Sequence, residues 1–116
     1  MNEGRSSDAS SPLGAVTFEI HLFWASWAAP SLPAPLTARE LQGVLPSDVL
    51  VIVHDVSVNE LSLGRTSQAY FPDVLPTWRI VAVRDSKVIG ERLLAGAHPK
   101  FEIREALEVL RADKHG

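Results

Sequence analysis

The chain has 116 residues, 46% of them hydrophobic and 22% charged, enough apolar side chains for one compact core and hence a single expected domain. A formal net charge of -3 gives no basic footprint for neutralising phosphates, so nucleic acid is not an expected partner. No cysteine occurs, which removes disulfides, thiolate catalysis and thiolate metal sites together and leaves the redox state of the compartment unreadable.

Met1 to Pro12 is rich in Ser, Gly and charge and lacks the apolar centre of a secretory leader, so residues 1–14 read as a flexible tail. A cytoplasmic location is the simplest expectation, with a mature form whose leader has been removed left open. No apolar run approaches the roughly 20 residues that span a bilayer, so no membrane association is expected.

Ala15 to Trp24 alternates apolar and polar residues and then turns almost wholly apolar, the pattern of a strand entering a buried sheet. Trp27 to Pro35 holds three prolines, each without the amide that a helix interior needs, so no regular helix is expected to run through all of it unbent. Thr37-Ala38-Arg39-Glu40 then offers a capping box, and Leu36, Leu41 and Leu45 give an apolar side, which predicts a helix from Thr37 to Val44. Asp48 to His54 has a continuous β-branched run that suits an interior strand with both faces covered. Asn59 to Tyr70 reads as a further helix on Leu61, Leu63 and Tyr70, although Gly64 inside it costs about 1 kcal/mol against Ala. Thr77 to Val83 and Lys87 to Leu94 flank a connection too short for a parallel crossover, so they form an antiparallel hairpin. Pro99 to Ala112 repeats apolar residues at Phe101, Ile103, Leu107 and Leu110 and predicts the closing helix, with residues 113–116 a short tail. The order predicts an α/β domain over residues 15–112, with a mixed sheet and helices on both faces.

Leu22-Phe23-Trp24-Ala25-Ser26-Trp27-Ala28-Ala29-Pro30-Ser31 resembles the strand and active-site turn of the thioredoxin family, where Phe-Trp-Ala-x leads into Trp-Cys-Gly-Pro-Cys. Val74-Leu75-Pro76-Thr77 resembles the family's cis-proline turn, and Gly96-Ala97 before the last helix also fits. The resemblance covers Val16 to Leu110. It implies a thioredoxin fold, three layers α/β/α around a mixed four-stranded sheet of order 2-1-3-4, without the family's extra N-terminal strand and helix unless the tail supplies them. It places Ala28 and Ser31 where the family carries its two cysteines, and Leu22 where thioredoxins carry a buried acid.

The family's chemistry needs a thiolate at a helix N-terminus, attacking a disulfide and resolved by a second thiol. Ala28 has no nucleophile, and the Ser31 hydroxyl cannot form a disulfide and has no evident base, so Ser31 is expected to make local hydrogen bonds. The resemblance thus implies a redox-inactive protein that binds another protein or an extended peptide around Trp27, Ala28, Ala29, Pro30, Ser31, Leu75 and Pro76. The alternative is a thiol-disulfide oxidoreductase whose cysteines have been replaced at positions 28 and 31. A third option, a homodimer, would use an open edge at Asp48 to His54.

Trp24 reads as core, while Trp27 is equally an interface anchor or a core side chain. His21, His54, His98 and His115 lack a compact ligand spacing, so neither a metal nor another cofactor is expected. Asp55 reads as the end of its strand.

Overall fold

The computed structural model describes residues 15–56 and 74–115. Strands β1 (Val16–Trp24), β2 (Val49–Asp55), β3 (Thr77–Arg84) and β4 (Lys87–Ala95) form one mixed sheet. Helix α1 (Ala34–Val44) links β1 to β2, and α2 (Lys100–His115) follows β4. The strand order is β2-β1-β3-β4, with β1 parallel to β2, antiparallel to β3, and β3 antiparallel to β4. This is the mixed sheet of order 2-1-3-4 expected from the sequence.

Alternation along β1 divides the molecule. Phe18, Ile20 and Leu22 are buried on one face, where they meet Ala34, Ala38 and Leu41 of α1 and Ile103, Leu107 and Leu110 of α2. Both described helices therefore pack on this face. The helix expected over Asn59 to Tyr70 lies outside the described residues, as does the tail of residues 1–14.

Two helix boundaries differ from expectation. Helix α1 begins at Ala34, three residues before the predicted capping box, and Thr37 Oγ1 donates weakly to the Pro33 carbonyl, at 3.4 Å. Pro33 and Pro35 cause no break because they occupy the helix start, where amides have no intrahelical acceptor anyway. Helix α2 runs on to His115, through residues expected to form a tail.

Strand β2 is the edge strand that the order 2-1-3-4 makes it among the described residues, but its faces are not both covered as its apolar run suggested, with Leu50 and Val53 about half exposed. A β-branched run reports affinity for a pleated surface, not the number of neighbouring strands. The outward amide of Val51 is met instead by Gln42 Oε1 of α1, at 3.0 Å. The β3–β4 hairpin turns on Asp85 and Ser86, both at positive φ, as a two-residue turn that follows strand twist requires.

Candidate functional site

Strand β1 ends at Trp24, and the chain then winds into a single 3-10 turn over Ala29–Ser31 before entering α1. Backbone bonds from Ala28 N to Ala25 O (3.1 Å) and from Ser31 N to Ala28 O (2.8 Å) close this turn. The Ser31 hydroxyl is fully buried inside it. It accepts from the Ala25 amide at 3.2 Å and lies 2.7 Å from both the Ala25 and Ala28 carbonyls, one of which takes its single proton. Ser31 is therefore a local fastener with its oxygen already engaged, and no side-chain base among the described residues hydrogen-bonds to it.

Facing this turn is the segment before β3. The Leu75–Pro76 peptide bond is cis and Pro76 is buried. Thr77 Oγ1 donates to the Val74 carbonyl at 2.6 Å, and the Gly96 amide donates to the Pro76 carbonyl at 2.7 Å. Gly96 sits at φ 93, a conformation that side-chain-bearing residues rarely adopt, so glycine is needed where β4 hands over to α2. Ala28 and Leu75 both pack on a small cluster of Phe23, Ala25 and Val56, which joins the turn to the cis-proline segment. Pro30 and Pro76 also line one cavity of about 30 Å³ with Trp78 and His98.

The seven residues singled out in the sequence thus occupy one end of the sheet, in different states of exposure. Trp27 is 71% exposed, Ala29 and Pro30 are exposed, Ala28 and Leu75 are half-buried, and Ser31 and Pro76 are interior. Trp27 is an outward side chain, so the reading that placed it in the core does not hold. Trp24 is half-buried against the main core, with its indole Nε1 buried and without a hydrogen-bond partner among the described residues.

Sequence reasoning missed several features. Leu36, assigned to the apolar side of α1, is 59% exposed near the turn, and Leu32 and Val74 are also about half exposed. Leucine periodicity gave the helix but not which leucine its rotation turns outward. His98 lies beside the cis-proline cavity, where its Nδ1 meets Glu102 Oε1 at 2.7 Å and its Nε2 meets the Ala95 carbonyl at 3.0 Å. Both partners are acceptors, so the ring nitrogens face a carboxylate on one side and a backbone carbonyl on the other.

The four histidines divide in a way their spacing concealed. His21 and His54 come together across β1 and β2, with Nδ1 of His21 2.9 Å from Nε2 of His54, and Nε2 of His21 2.8 Å from Glu19 Oε1. Burial, and secondarily the neighbouring His21, holds His54 below the ordinary histidine range. No group of three metal-ligating side chains assembles among the described residues, whose helices include none long and apolar enough to cross a membrane.

No family model matches the sequence, and no curated protein matches it. Solved structures do match in shape. A thioredoxin from Plasmodium falciparum aligns over 87% of this chain and 75% of its own, with TM-score 0.62 and 17% identity. A Fasciola hepatica thioredoxin aligns over 81% of each chain, with TM-score 0.53 and 22% identity. A reduced Schistosoma mansoni thioredoxin covers 81% of this chain and 79% of its own, with TM-score 0.52 and 21% identity. With its mixed 2-1-3-4 sheet, its two described helices and these neighbours, the chain has the thioredoxin fold, and it has that fold without a single cysteine.

Proposed function

We propose that this protein binds an extended segment of another protein at the end of the sheet formed by Trp27, Ala28, Ala29, Pro30, Ser31, Leu75 and Pro76, without thiol chemistry. The observation that carries the reading is Trp27. A large aromatic side chain left 71% exposed, beside a turn whose backbone is closed by its own hydrogen bonds, costs apolar hydration unless something covers it. Exposed Leu32, Leu36 and Val74 extend the apolar character of this end. Leu75 supports the reading by offering backbone next to β3, where an extended chain can add main-chain hydrogen bonds. Ser31 contributes rigidity, since its hydroxyl is engaged within the turn.

NMR titration of the labelled protein with a library of extended apolar peptides tests this directly. Shifts should centre on Trp27, Ala28 and Leu75, and Trp27→Ala should weaken binding by about tenfold or more, as an interface anchor does. Shifts confined to the outer surface of α2 would overturn the reading.

The alternative, an oxidoreductase with its cysteines replaced, is favoured by one observation: position 31 is buried and position 28 less so, an asymmetry suited to an attacking and a resolving thiol. The double variant Ala28→Cys, Ser31→Cys separates the two readings. Efficient reduction of insulin disulfides by it would favour the oxidoreductase. A disulfide that forms but turns over poorly fits the binding reading, because Leu22 offers no buried acid to accept a proton.

A further inference from the structure

The sheet face turned away from α1 and α2 carries a chain of polar side chains that the proposed site does not use. Glu19, His21 and Phe23 alternate onto this face from β1, and His54 stands in register with Phe23 on β2. The imidazoles of His21 and His54 are within 10° of parallel, with centroids 5.2 Å apart. Their facing nitrogens are only 2.9 Å apart, so the centroid distance exceeds the nitrogen distance by about the width of one ring. The rings therefore meet edge to edge, and the bond between them runs along the line that joins them.

Proton positions follow from the partners. A carboxylate only accepts, so Nε2 of His21 carries a proton toward Glu19; the neutral ring then offers a bare Nδ1, to which Nε2 of His54 donates. Two ligands for one metal would aim their lone pairs at a common third point. End-to-end rings instead share a proton.

We propose that Glu19, His21 and His54 form a one-proton switch behind the candidate site. On acidification a proton from solvent adds to Nδ1 of His54, and the proton on its Nε2 crosses to Nδ1 of His21. His21 becomes the imidazolium, donating to Glu19 and to His54, while His54 stays neutral in its other tautomer. One proton is gained, the N–H···N bond reverses direction, and the nitrogens keep their places. A second proton would set two cations end to end, so the pair titrates as a unit. The depressed affinity of His54 for protons agrees with a neutral pair at rest.

The link to the site is packing. The Phe23 ring lies 4.6 Å from His54, 10° from parallel, and Phe23 belongs to the buried cluster on which Ala28 and Leu75 rest. The other charged groups on the described elements around the pair are Arg79 of β3, which faces His21 in register and is ion-paired with Glu91 of β4, and Asp55 beside His54.

Imidazole nitrogen NMR on the labelled full chain between pH 8 and pH 5 tests the switch. Both rings should carry the Nε2 proton at high pH. One protonation step should then invert the His54 tautomer, and the Ala28 and Leu75 amides should move with the same midpoint. Glu19→Gln removes the anion that stabilises the charged state and should lower that midpoint by about one pH unit. His54→Phe keeps a flat ring against Phe23 and should silence the Ala28 and Leu75 response; the same response in this variant would assign it to His98 and overturn the proposal. So would two rings that titrate independently, or a midpoint unmoved in Glu19→Gln, the variant that decides if His54→Phe does not fold. No binding partner enters the experiment, so it stands or fails separately from the function proposed for the site.

Discussion

At position 31 a hydroxyl does the work of a fastener. It engages the Ala25 amide and, with one proton, the carbonyl of Ala25 or Ala28, all inside a turn that excludes water. Ser31→Ala leaves the buried Ala25 amide without its acceptor, while the Ala25 and Ala28 carbonyls keep their backbone donors, and chemical denaturation should show a loss of about 1–3 kcal/mol. His54 makes the corresponding prediction for pH. Burial lowers its native proton affinity beneath the ordinary value of 6.5, so over that window the unfolded chain holds a proton that the native protein releases. Stability is complete above about pH 6.5 and declines as the pH falls toward the lower native value. Urea midpoints measured from pH 8 to pH 5 should fall in the unaltered protein and fall less steeply in His54→Phe.

Among the elements, the contact of α2 with β4 is set by a missing side chain. A Cβ at Gly90 would lie 3.0 Å from Leu110 Cδ1 and 2.5 Å from the Cε atom of Lys114. The lysine tip can swing away, but Leu110 is buried in the core and cannot follow without moving the helix. Gly90→Val should therefore destabilise by about 1–3 kcal/mol, read as a lowered Tm, with Gly90→Ala milder. The edge of β2 has its own guard in Gln42, which occupies the Val51 amide. Removing it in Gln42→Ala frees an edge donor beside exposed Leu50 and Val53, and sedimentation should show increased self-association with little change in Tm.

Across the whole molecule, Arg111 ties the end of α2 to the start of β2. Its guanidinium makes two hydrogen bonds to the Asp48 carboxylate, at 2.7 and 3.2 Å, and lies 4.6 Å from the centre of the Phe18 ring. The bond to Asp48 is the main cause that raises the proton affinity of Arg111 further. A planar fork fits this geometry and an ammonium does not, so Arg111→Lys should recover less than half of the stability lost in Arg111→Ala, about 1–2 kcal/mol for a partly buried charged pair.

The order of the described elements and the β3–β4 hairpin were legible in the sequence, because hydrophobic period and turn length are local signals, while the turn at Trp27 to Ser31 stood out through its resemblance to the thioredoxin family. The sequence by itself also determined that no thiol can act here, since that follows from composition alone. Tertiary structure decided the rest. That Leu50 and Val53 of β2 stay half exposed, that Leu36 faces outward, and that His21 and His54 meet although 33 positions apart depends on layer packing, helix rotation and register. Those are relations between segments, and the energy that selects them comes from packing faces together, which no single stretch of chain contains.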